Sequence, residues 1–194
     1  NTLIIGAITS VCATVLGTLA GLAMHRYKLR LLPVLVLTPI AIPEILMGLS
    51  LLVFFVTLNF TLGFVSITLA HIAFCVGFVA IVVRARLAGM DNALVEAARD
   101  LGATPLQAFR LVTLPLIMPG IVAGALMAFT LSIDDFVITY FTAGAGASTL
   151  PLQIYSMLKI AVTPEVNAIS TLLMLLTLAL IFIASKLAPG ALRG

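Results

Sequence analysis

The chain has 194 residues, of which 62% are hydrophobic and 9% charged. A soluble domain is about 45–50% apolar and about 25% charged, so a soluble fold of this length would have nowhere to hide the excess apolar surface. The formal charge of +3 is too small to point to nucleic acid.

A helix needs roughly 20 apolar residues to cross the hydrocarbon core of a bilayer. Five segments meet that requirement in chain order: Thr2–Met24, Pro33–Leu58, Phe64–Val83, Leu116–Phe141 and Val166–Ser185. They are continuous apolar runs rich in Leu, Ala and Ile, without the in–out alternation of barrel strands. The fold class expected is therefore all-α, a polytopic transmembrane helical bundle forming a single domain over residues 1–194. Asn59–Gly63 is the natural turn between the second and third spans.

The loops of a five-span chain alternate sides. One side holds Arg26, Lys28, Arg30, Arg84, Arg86, Arg99, Arg110, Lys186 and Arg193; the other holds only Lys159. This asymmetry places the basic side in the cytoplasm, with the amino terminus of the chain outside and the carboxyl terminus inside. The chain opens at Asn1, on the edge of a span and without a basic leader, which suggests a missing upstream segment. Cys12 and Cys75 fall inside spans and read as small packing residues. No His/Cys cluster has metal-ligand spacing.

Residues Arg84–Pro115 form the one sizeable polar connection. Asp91 or Asn92 can cap a short helix whose Leu94, Ala97, Ala98 and Leu101 recur at helical spacing. Gly102 stands where a left-handed residue ends a helix. Thr104 then reads as an N-cap with Pro105 at the first helical position. The second helix carries Leu106, Phe109, Arg110 and Val112 and is expected to end at Leu114–Pro115. Such an element is either a solvated connection beneath its own spans or a docking knob for a partner.

The stretch EAARDLGATPLQAFRLVTLPLIMPG resembles the cytoplasmic coupling loop of binding-protein-dependent ABC importer permeases, the MetI-like fold. Glu96-Ala97-Ala98, Gly102, Val112 and Leu114-Pro115 stand at that family's spacings, with Val in place of an Ile as the one departure. The resemblance implies a pathway formed with a second permease subunit and two cytoplasmic ATPase subunits docked on the coupling helices. It implies a periplasmic or lipid-anchored substrate-binding protein, at least one further helix upstream, and a location in the bacterial inner membrane. The ATPase-coupling residues it picks out are Glu96, Ala97, Ala98, Gly102 and Pro115. The sequence has no Gly-rich phosphate loop followed by Lys-Ser/Thr. No cofactor is expected in this chain, and ATP with its Mg²⁺ would belong to the partner ATPase. The chain is accordingly read as a transport subunit, not an enzyme. No Ser/His/Asp, paired-His or Gly-x-Ser-x-Gly arrangement is legible within the spans.

Ionisable residues inside a span are costly and mark functional sites by default. Glu44 follows TPIAIPE, where Pro39 and Pro43 should interrupt the helix. At about 1.5 Å per residue from Arg30 it lies roughly 21 Å deep. It either lines a cavity at a broken helix or is satisfied by a hydrogen bond to His71, expected at similar depth. Asp134 and Asp135 are adjacent, and successive helical residues point about 100° apart. Both could face one cavity only if the helix ends or unwinds there. The alternative is that the pair marks the outer end of the span.

From SIDDFVITYF through LPLQIYSMLK and TPEVNA, the chain resembles the second permease subunits of spermidine/putrescine importers, a likeness that also takes in IPE–GLSLL and AHIAFC. The implied substrate is a polyamine, moved by alternating access. A polycation with methylene spacers needs spaced carboxylates and aromatic faces. The candidate pathway residues are Asp134, Asp135, Glu44, Phe136 and Tyr140. Rival readings are a permease of the same class for another small organic cation and, from a different class, a self-contained secondary transporter or channel. Pro151–Ile160 reads as a short amphipathic helix that contacts the binding protein, covers the pathway or lies on lipid.

Overall fold

The computed structural model describes residues 1–27, 30–160 and 164–187, and every element among them is helical. The elements are α1 (Thr2–Arg26), α2 (Leu31–Ala41), α3 (Glu44–Thr57), α4 (Phe64–Ala88), α5 (Ala93–Asp100) and α6 (Pro105–Ala108). A π-helical turn (Phe109–Thr113) follows, then α7 (Leu114–Asp134), α8 (Val137–Thr142), α9 (Leu150–Leu158) and α10 (Pro164–Leu187). Lys28 and Arg193, two of the basic residues counted on the cytoplasmic side, lie outside the described residues.

The core is the packing of α1, α4 and α7 against one another. Apolar attraction cannot drive this in lipid, so close backbone approach and interhelical hydrogen bonds must. Small residues provide the approach: Ala13, Ala70, Ala80 and Ala128 are fully buried. A Cβ placed on Gly17 would come within 2.6 Å of Val79 Cβ and 2.8 Å of the Val76 carbonyl oxygen. A Cβ on Gly124 would meet Val79 from the α7 side, at 3.1 Å. Ser10 Oγ donates to the Ala125 carbonyl at 2.7 Å, tying α1 to α7. The outer faces of α1 and α10 keep Val11, Val15, Leu19, Leu172, Leu175 and Leu178 exposed, as lipid contact requires.

Two expected elements differ, and a third breaks where an interruption is expected. The segment Pro33–Leu58 is not a straight span: α2 and α3 meet at a bend of 108°. Pro39 is carried inside α2, and the chain turns at Ile42–Pro43, where Pro43 has φ −54° and ψ 134°. Pro43 has no N–H to give back to the preceding turn, and its ring disfavours helical backbone at Ile42. Residues Leu116–Phe141 likewise split, with Asp135 extended between α7 and α8 (φ −63°, ψ 125°). Conversely, the second helix of the polar connection does not stop at Leu114–Pro115. It runs on through the π turn into α7, giving one helical rod over Pro105–Asp134. The wider π turn lies immediately before Pro115, where an α-turn would clash with the proline ring and lose its hydrogen bond.

Candidate functional site

The polar connection folds as two short helices about a glycine. Asp91 Oδ1 accepts from the Ala93 N–H at 2.9 Å, opening α5. Gly102 has φ +87°, a conformation that a side chain would strain, and a Cβ there would meet nothing within 4 Å. Thr104 and Gln107 form a reciprocal capping box: Thr104 N–H donates to Gln107 Oε1 (2.8 Å) and Gln107 N–H to Thr104 Oγ1 (3.4 Å). Glu96, Arg99, Asp100, Gly102, Ala103 and Pro105 line an open hollow of about 390 Å³. The expected apolar face of α5 is turned differently: Val95 and Ala98 are half-buried, whereas Leu94 and Leu101 are exposed. Leu101 is 90% exposed, Leu106 62% and Leu111 73%, so the knob presents an uncovered apolar surface beside its charges.

The acids occupy the other end of the rod and have different fates. Asp135 is buried and belongs to α4 as much as to its own segment. His71, 1% exposed on α4, places Nε2 at 3.1 Å from Asp135 Oδ2 and 3.0 Å from Thr139 Oγ1. Its Nδ1 lies 2.8 Å from Ser132 Oγ. The carboxylate also accepts from the N–H groups of Ile138 (3.3 Å) and Thr139 (2.8 Å), and from the Thr139 hydroxyl (2.9 Å). Asp135 thus satisfies the free N–H groups that open α8, the chemistry helix N-termini ask of an acid. Of the two readings of Glu44, the hydrogen bond to His71 is not made: His71 bonds to Asp135, and Glu44 is exposed at the start of α3, beyond the 108° bend. One expectation is corrected. A Ser/His/Asp arrangement does exist, assembled across two helices. It is sealed from solvent, and its serine stands on Nδ1 with its aspartate on Nε2, the reverse of the hydrolase arrangement.

Asp134 is exposed. With Phe136, Pro151, Ile154, Tyr155, Leu158, Ser170 and Leu173 it lines an open cavity of about 300 Å³ between α7, α9 and α10. Glu44 stands exposed at the start of α3 and is not among the residues lining this cavity. Two rings, Phe136 and Tyr155, share this lining with Asp134, and Tyr140 packs against both from outside it. Phe136 and Tyr155 have centroids 4.6 Å apart, Phe136 and Tyr140 5.7 Å, and Tyr140 and Tyr155 6.3 Å. A carboxylate beside several π-faces is a site for an ammonium group. Tyr155 was not among the residues singled out from sequence. It lies in α9, on the far side of the Gly-rich stretch, and only the fold brings it to Phe136. No cluster among the described residues could hold a metal ion.

Among the described residues, three helices are long and apolar enough to cross a membrane, and α2 with α3 makes a fourth if the bent pair is one span. Residues 13–190 match the family model of the binding-protein-dependent transport system inner membrane component. The whole chain is 40% identical to 75% of the spermidine/putrescine transport system permease protein PotC of Escherichia coli K12. Over 89% of its length it is 42% identical to 65% of the putrescine transport system permease protein PotI of the same strain. The fold is also that of a solved inward-facing MetNI methionine ABC transporter chain, with a TM-score of 0.80 over 97% of this chain and 91% of that one, at 23% identity. A helical, multi-pass membrane protein with this match along nearly its entire length belongs to the family of binding-protein-dependent transport system inner membrane components.

Proposed function

We propose that this chain is the permease subunit through which a polyamine enters the cell, in an importer driven by separate ATPase subunits. The observation that carries the substrate is the juxtaposition of Asp134 with the rings of Phe136, Tyr140 and Tyr155 at the break between α7 and α8. Ammonium groups pair with the carboxylate and with π-faces, and methylene spacers pack on the rings. The names of the PotC and PotI relatives support the same class of substrate. Glu44 adds a second negative station, as a molecule with more than one ammonium requires. Asp135 has a different role here, that of fixing the break.

The α5–Gly102–α6 knob is the docking surface for the ATPase, with Glu96 as the ionic contact, Ala97 and Ala98 in the short helix, and Pro115 where the rod enters the membrane. The exposed Leu101, Leu106 and Leu111 support this, being apolar groups that a partner would cover. ATP and Mg²⁺ bind on that partner. A second permease subunit completes the pathway, and a substrate-binding protein delivers to the side carrying α9. That side is external, and the carboxyl terminus cytoplasmic, by the Lys/Arg asymmetry.

The test is ATPase activity of the reconstituted complex. Putrescine or spermidine on its binding protein should stimulate hydrolysis, and unrelated cations should not. Equal stimulation by unrelated cations would overturn the polyamine reading, and a purified permease carrying no ATPase would overturn the importer.

A further inference from the structure

Lys159 is the single Lys or Arg of the external connection and caps the carboxyl end of α9. Its Nζ stands 4.7 Å from the centroid of the Tyr155 ring. No ion pair to Lys159 is present among the described residues. Tyr155 is the ring that joins α9 to the aromatic cluster of Phe136 and Tyr140, and it shares a cavity wall with Asp134. The protein therefore already holds a primary ammonium on the π-system that a cationic substrate would use. A lysine side chain is a four-carbon stem ending in a primary ammonium, the same chemistry as one end of an aliphatic polyamine.

We propose that Lys159 is a tethered competitor of the substrate: its ammonium occupies the Tyr155 ring in the empty pathway and must leave before a substrate ammonium can take that place. This rests on the cationic-substrate reading above and deepens it by naming a residue that sets the threshold for entry. An ammonium with a second one along its chain can hold Asp134 and displace Lys159 together. A monovalent cation must do one or the other. Lys159 thereby favours polycations over single ammonium groups. Its exposed position lets the side chain swing away without disturbing the helical core.

The test is uptake in the intact complex, with initial rates measured against polyamine concentration and membrane protein quantified for each variant. Lys159→Gln removes the tethered cation and should raise kcat/KM about two- to fivefold, the effect of one exposed cation–π contact. Lys159→Arg should restore the parent value. In a Tyr155→Leu background, Lys159→Gln should have no further effect, which separates a ring contact from the general loss of a positive charge. Unchanged or lowered kcat/KM in Lys159→Gln, with parent transport intact, overturns the competition alone. So does a rise that persists in full without Tyr155. A parent complex that moves no polyamine overturns the substrate reading and this inference with it.

Discussion

The imidazole of His71 and the carboxylate of Asp135 meet at 3.1 Å in the interior, 64 residues apart in the chain. The contact fastens α4 to the break between α7 and α8, next to Asp134.

Removing one partner of a buried, hydrogen-bonded pair strands the other, at a cost of about 3–5 kcal/mol. His71→Ala should lower the melting temperature of the detergent-solubilised protein sharply and reduce its amount in the membrane. Asp135→Asn keeps an acceptor for the Thr139 N–H and should be milder, about 1–2 kcal/mol. Thermal unfolding followed by size-exclusion chromatography ranks them. A His71→Ala protein as stable as the parent would contradict this account of the break.

Asp134→Asn removes a charge from an exposed position beside the rings and leaves the His71 network untouched. Polyamine transport should fall about tenfold, the effect of roughly 1.4 kcal/mol of lost attraction, while the melting temperature stays that of the parent. Asp135→Asn should lose transport and stability together. Rates near the parent value in Asp134→Asn would leave the cavity without its anchor.

At the opposite end of the rod, Glu96→Lys reverses a charge on the rim of the hollow around Gly102. Gly102→Val forces a β-branched residue into φ +87°, at a cost of about 1–2 kcal/mol from backbone strain alone because the space itself is open. Both variants should insert normally, lose ATPase in co-purification and fail to transport. Retention of the ATPase by both would remove the knob as its docking site.

Orientation is checked by labelling. With Cys12 and Cys75 replaced, a cysteine at Thr61 or Ala145 should react with an impermeant maleimide in intact cells. One at Asn92 should react only after permeabilisation. All three positions are exposed, so the contrast reports sidedness and not burial. Labelling of position 92 in intact cells would reverse the topology.

Much of the helical plan is legible in the sequence because lipid imposes length and composition on any helix that crosses it. The Thr104 cap and the Gly102 elbow are legible too, being local chemistry. What fails is whatever depends on direction. Depth along the chain puts Glu44 level with His71, but depth does not say which way α3 leaves Pro43, and the bend takes Glu44 away. The inward acid could have been chosen from periodicity. Ser132, Asp135, Thr139 and Thr142 recur three and four residues apart in an apolar run, and all four are buried. The seam meets α4 at His71 and at Ser66, whose Oγ donates to the Thr142 carbonyl at 2.8 Å. Asp134 is off that seam, and so faces the cavity. Tyr155 and Lys159 carry no comparable signal, because their relation to Phe136 exists only once α9 folds back.

The rod from Pro105 to Asp134 has a mechanical meaning as well. Thirty helical residues span about 45 Å at 1.5 Å each. The cap at Thr104 and the carboxylate of Asp134 are thus the two ends of one lever. A rotation of about 15°, the size of a known rigid-body subunit movement, would sweep the far end through roughly 12 Å. No loop intervenes to absorb it. The compliant points are the π turn and Pro119, both in the half nearer the knob. Beyond Pro119 the helix runs uninterrupted to Asp134, so movement that passes that point reaches the acid end as displacement.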